Sequence, residues 1–87
     1  MTDVLSDYRL TEHAREAIQK RRIAQEWMER TLTAPESVEM DPVDENLEHR
    51  LARIEEFGNR TLRVIVNVSA DPPRIVTVYF DRGRKER

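Results

Sequence analysis

Three consecutive pieces decide the fold: Thr61–Leu62–Arg63–Val64–Ile65–Val66–Asn67–Val68, the break Ser69–Ala70–Asp71–Pro72–Pro73, and Arg74–Ile75–Val76–Thr77–Val78–Tyr79–Phe80–Asp81. Both runs are rich in β-branched and aromatic residues, and turn chemistry separates them, so they predict a β-hairpin. With the loop centred on Asp71, Val66 faces Val76, Val64 faces Val78 and Leu62 faces Phe80. Side chains alternate between faces along a strand, so these six form one apolar face. The other face then carries Arg63 beside Tyr79, Ile65 beside Thr77 and Asn67 beside Ile75. The first face is a core. The second mixes cation, hydroxyl and apolar groups, and any function has to account for it.

Working backward, Gly58–Asn59 is hairpin-turn chemistry, so Leu47 to Phe57 reads as a preceding strand in a meander. Its alternation is only partial. A helical reading, with Leu47, Leu51 and Ile54 together, is the alternative. Residues 33 to 48 read as an acidic connector with two apolar positions, Val38 and Met40. Two helices precede it. Thr11 is a candidate N-cap for a helix from Glu12 to Arg21, with Leu10, Ala14, Ala17 and Ile18 as its apolar stripe. The second runs from about Ala24 to Leu32, buries Ile23, Trp27, Met28, Thr31 and Leu32, and ends before Pro35. Tyr8–Leu10 is either a short edge strand or a lead into the first helix. The predicted fold is α+β: two N-terminal helices on one face of a three- to four-stranded antiparallel sheet. A single domain spans residues 8–81, between an N-terminal arm (1–7) and a basic tail (82–87).

The 87 residues suit one domain with a small core, burying roughly 60–65% of the unfolded surface. Cysteine is absent, which excludes disulfides and thiolate metal sites. No apolar run approaches the ~20 residues of a membrane span. The first residues lack the basic flank and apolar core of a secretory signal, so a cytoplasmic protein without membrane association is expected. The net charge of −2 is unevenly spread. Residues 31 to 48 hold six acids and no Lys or Arg, whereas residues 49 to 87 hold nine Lys and Arg against five acids. The second half therefore has the charge of a modest nucleic-acid binder, or simply of a well-solvated small domain.

Leu10–Thr11–Glu12–His13–Ala14–Arg15, Arg21 with Ile23, a second helix ending near Pro35–Glu36, and the closing Val76–Thr77–Val78–Tyr79 resemble the bacterial domain-of-unknown-function 4258 family over about residues 8 to 81. The His-Ala-Arg start, with an arginine eight residues after the histidine, is the most specific part. That family is similar in fold to RelE/ParE-like toxins. The resemblance implies a ribonuclease-like site of helix histidine, sheet arginine and last-strand hydroxyl: His13, Arg63 and Thr77, with Tyr79 alongside. One departure stands out. The family usually has glycine where Arg22 lies. A left-handed arginine costs about 1 kcal/mol, which predicts a different helix end here.

Two functions follow as expectations. The first is a metal-independent, RelE-like endoribonuclease of toxin–antitoxin type. His13 would move a proton, Arg63 hold the scissile phosphate, and Thr77 or Tyr79 orient the RNA. Arg15, Arg53, Arg82 and Arg84 would contact the strand, and the RNA 2′-hydroxyl would be the nucleophile, so no cofactor is needed. The second is a non-catalytic binding module of the same fold. Ile65 and Ile75 on the second face would be covered by an antitoxin-like peptide or by a second copy. Each candidate has a plain alternative: a boundary histidine, a solvated strand arginine, ordinary strand-forming Thr and Tyr. His49 with Asp44, Glu45 and Glu48 matches no metal spacing, so no metal is expected.

Overall fold

The computed structural model describes residues 7–82. The arm, the tail and Arg84 lie outside the described residues, apart from Asp7 and Arg82. In chain order the elements are β1 (Arg9–Leu10), α1 (Glu12–Arg21), α2 (Gln25–Thr33), β2 (Ser37–Met40), β3 (Leu47–Ile54), a 3-10 turn (Glu55–Phe57), β4 (Arg60–Asn67) and β5 (Arg74–Phe80). The described strands form one sheet in the order β1-β5-β4-β3-β2. β1 runs parallel to β5, and the other neighbours are antiparallel.

The sheet thus has five strands and mixed direction, where three to four antiparallel strands were expected. The additions are both edges. Tyr8–Leu10 resolves to a two-residue strand. The acidic connector contains β2, whose Ser-Val-Glu-Met alternation is too short to read against its acidic surroundings.

The hairpin pairs as expected from Leu62↔Phe80 to Ile65↔Thr77, then shifts by one. Val66 faces Ile75 rather than Val76, and Asn67 faces Arg74. Val76 is therefore the extra residue of a β-bulge. Its carbonyl accepts a hydrogen bond from the Thr11 hydroxyl (3.1 Å), while the Thr11 amide donates to the Ile75 carbonyl (3.1 Å). Counting outward from Asp71 misses this, because the residue that sets the register lies 65 positions upstream. The bulge moves Ile75 to the core face, where it is fully buried, which corrects its placement on the second face.

Helix α1 starts as expected: the Thr11 hydroxyl accepts the Ala14 amide at 3.0 Å. Its end differs. Arg22 itself takes the left-handed conformation (φ 54°, ψ 47°). The Ile23 amide then bonds back to the Ile18 carbonyl at 3.0 Å, the bond of a Schellman cap. The cost of about 1 kcal/mol is accepted, because those bonds satisfy carbonyls the helix would otherwise leave open.

Ala14, Ile23, Met28 and Leu32 from the helical layer pack against Ile54, Leu62, Val64, Val66, Ile75 and Val78 of the sheet. Arg50, on the same sheet face, donates to the Leu32 carbonyl (2.6 Å) at the end of α2. That end of a helix favours a cation. Trp27, Phe57 and Phe80 form an aromatic group at one end of this layer, with centroids 4.9–6.1 Å apart.

Candidate functional site

Both helices pack on the core face of the sheet. Directly paired residues share a face, so Glu39, His49, Ile65 and Thr77 form one transverse row on the other face. Ser37, Leu51, Arg63 and Tyr79 form the next. Leu51 is 1% exposed although no helix among the described residues lies on this side.

Arg63 sits at the centre. Its Nε and Nη2 donate to Oδ2 of Asp81 at 3.0 and 2.5 Å. Its Nη1 lies 2.6 Å from Nδ1 of His49 and 3.5 Å from Oε1 of Glu39. A guanidinium only donates, so Nδ1 of His49 must accept. The proton of a neutral imidazole is then on Nε2, which donates to Oδ1 of Asp41 at 2.7 Å. The other Asp41 oxygen accepts the amides of Val43 (3.0 Å) and Asp44 (2.9 Å). One chain of bonds therefore runs across β2, β3, β4 and the end of β5. It is largely withdrawn from solvent, with side-chain exposures of 12% for His49, 14% for Arg63, 17% for Asp41 and 18% for Asp81.

The electrostatics follow the geometry. Burial works against the charge on Arg63, but the Asp81 carboxylate outweighs it and holds the arginine pKa above its ordinary value. The Asp44 amide, then His49 and the Val43 amide, hold Asp41 below the usual aspartate value. All three guanidinium nitrogens and both imidazole nitrogens have partners within the molecule.

The expected site residues fall into separate places. Arg63, Thr77 and Tyr79 share this face. His13 is exposed on α1, in the layer that packs on the opposite face, so the sheet lies between it and Arg63. His49 is the histidine that Arg63 meets. His49 shares a face with Leu51, two residues along β3, and the observed register Leu51↔Arg63 makes that the face of Arg63. Arg15 lines a cleft of about 550 Å³ with Arg9, Leu10, Ile18, Met28 and Glu29. There Glu29 accepts from Tyr8 (2.9 Å) and Gln25 (3.0 Å). Burial, then Glu29, pushes the Tyr8 hydroxyl pKa up. Arg53 lies 3.5 Å from Glu36. Arg82 lines a smaller cavity elsewhere. Among the described residues, no group of three His, Asp or Glu side chains is placed to hold a metal ion, and no helix is long and apolar enough to cross a membrane.

The network borders an unusual edge. β2 pairs only with β3, so its outer side has no strand among the described residues. The Asp41 amide bonds inward to Leu47 at 3.2 Å. By antiparallel alternation, Val38 and Met40 aim their amides and carbonyls outward. Their side chains are 49% and 58% exposed, and Val43 beyond them is 91% exposed. At four residues β2 is short, as open edges often are, and it carries neither lysine nor proline.

No curated protein and no solved structure matches the chain. Residues 10–80 match the family described as Domain of unknown function (DUF4258), and the chain belongs to that family.

Proposed function

We propose that this member of the DUF4258 family is a protein-binding module that captures an extended, basic segment of a partner along the outer edge of β2. The observation that carries the reading is the outward row of backbone groups at Val38 and Met40, which no strand among the described residues pairs, set in a stretch of six acids with no Lys or Arg. Strand addition supplies affinity through the main chain and specificity through alternate side chains. An arriving strand with lysine or arginine at alternate positions would bring them alongside Glu39 and Asp41, which share one face. An antitoxin-like peptide is one partner of this chemistry. A second copy paired edge to edge would set these acids against one another, so self-association through β2 is disfavoured.

The bond chain from Asp41 to Asp81 fits this role. It ties β2 to the centre of the sheet, so the receiving edge is held in place before a partner arrives. Ile65 stays half-buried on the second face, while Ile75 no longer supports a cover there. The ribonuclease alternative would need Arg63 to leave Asp81, and His13 to act from the far side of the sheet.

The test uses Val38→Pro. Because that amide points outward, proline removes the docking donor without breaking the bonds to β3. A short peptide alternating lysine with valine should perturb the Val38 and Met40 amide resonances of the wild type and leave Val38→Pro unbound. Equal binding by both proteins would defeat the proposal. Cleavage of RNA in EDTA that is lost in His13→Ala would instead favour the enzyme.

A further inference from the structure

A second site lies on the helix side of the sheet, away from the β2 edge. A cavity of about 230 Å³ is lined by Arg21, Phe57, Arg60, Phe80 and Arg82. They come from four places in the chain: the end of α1, the 3-10 turn, the start of β4 and the end of β5. Three of the five are cations and none is an acid. Arg21, Arg60 and Arg82 are exposed and have no carboxylate partner among the described residues. Arg30, Arg50, Arg53 and Arg63 are paired with acids, whereas these three line one cavity together.

The apolar wall has its own character. Phe57 is 39% exposed, although its ring packs on Phe80 (4.9 Å) and Trp27 (5.3 Å). The Arg60 guanidinium carbon lies 5.3 Å from the centre of the Phe57 ring, a cation–π distance. The aromatic group is therefore braced from behind by Trp27 and holds one of the arginines. An anion alone would use the cations and waste the wall. A flat, uncharged ring alone would use the wall and leave three positive charges unanswered. A ligand joining a flat ring to a phosphate uses both, as in sequence-tolerant binding of single-stranded nucleic acid. The volume is below the ~300–1,000 Å³ of typical small-molecule pockets, so it suits one nucleotide unit rather than a dinucleotide.

We propose that the cavity of Arg21, Phe57, Arg60, Phe80 and Arg82 binds a nucleoside phosphate, free or as the terminal unit of an RNA strand. The base rests against Phe57 and Phe80, and the phosphate is held by the arginines. This site is independent of the β2 edge, and either can fail without the other.

The experiment titrates the full chain with uridine 5′-monophosphate, following the Phe57 and Phe80 ring resonances. Its two halves, uridine and inorganic phosphate, are titrated separately. Saturable binding of the nucleotide is expected, with each half at least about tenfold weaker and Arg60→Gln weakened about tenfold. A 5′-phosphorylated oligouridylate pentamer and its unphosphorylated counterpart distinguish the source. Tighter binding of the phosphorylated pentamer than of the nucleotide assigns the site to an RNA end, and the reverse assigns it to free nucleotide. Inorganic phosphate binding as tightly as the nucleotide would overturn the proposal, as would no saturable binding of the nucleotide or the pentamer. So would wild-type affinity in both Arg60→Gln and Phe57→Leu. Arg60 is solvent-exposed, so its variant remains folded even if the Phe57 variant does not.

Discussion

Arg60 and Arg63 lie three residues apart on β4, project from opposite faces of the sheet and have opposite surroundings. Arg63 is enclosed: two nitrogens on Asp81, the third on His49 and Glu39. Arg60 is exposed over Phe57, beside two further arginines and no acid. An arginine whose bonds are completed inside the molecule contributes stability and rigidity. An arginine left without a carboxylate keeps its donors available for a ligand. On residue type and strand position alone the two are equivalent, and only their neighbours assign the roles.

The largest effect should come from removing the enclosed one. Arg63→Ala removes the guanidinium bonds to Asp81 and His49 in a largely buried place and should cost about 2–3 kcal/mol in urea unfolding. Arg60→Ala should stay within about 0.5 kcal/mol, as for an ordinary surface change. Equal losses at the two positions would break the comparison.

A smaller effect, with a pH signature, should come from Asp41→Asn at the far end of the same bond chain. The Asp41 carboxyl titrates lower in the folded protein than its ordinary 3.8. Its contribution is therefore complete above that value and lost as pH falls through the lower folded value. Wild type and Asp41→Asn should differ in stability at neutral pH and converge in strong acid. A difference that persists there would show that the carboxylate charge is not what matters.

The smallest effect sharpens the scale between the two extremes. Arg30 is exposed yet paired, with Nη1 and Nη2 reaching both oxygens of Glu56 at 3.2 and 2.8 Å. The Arg30 bonds hold the Glu56 pKa down to about 2. Carboxyl chemical shifts should show Glu56 titrating near that value, and clearly higher in Arg30→Gln. Unfolding should barely register the change, because exposed ion pairs contribute little.

Much of the fold was legible in the chain. Thr11 marked the start of α1, and the spacing of Leu62, Val64, Val66 and Val78 marked the core face. What escaped was what distant residues decide. Ile75 was misplaced because the bulge at Val76 is set by Thr11. Strand β2 went unseen because four alternating residues in an acidic stretch carry too little apolar signal to stand out. Arg63 was correctly placed beside Tyr79 and on one face with Thr77, but its histidine was taken to be His13. A tight turn at Gly58–Asn59 would set Phe57 against Arg60. The 3-10 turn at Glu55–Phe57 instead sets Ile54 against Arg60, an odd shift that turns His49 toward the Arg63 face. Of the residues lining the basic cavity, Arg82 was expected to contact RNA, Arg21 entered only through the family resemblance, and Phe57 was read as a strand end.

The Thr11 clasp on β5 also bears on how the chain tolerates insertions and deletions. Most hairpins take their register from the length and geometry of their own loop. Here the Ile75 and Val76 carbonyls are held by Thr11, and the Pro73 carbonyl by the Arg9 amide at 2.9 Å. The register of β5 is thus held from outside the loop, and lengthening a loop of this size beyond Ser69 adds only a few tenths of a kcal/mol in closure entropy. One glycine inserted after Ala70 should leave Ile75 buried and the Asp41–Asp81 bond chain intact, visible as unchanged amide protection in β4 and β5. Length variation among related chains is then expected to concentrate in this loop, while the segment that carries Thr11 keeps its length.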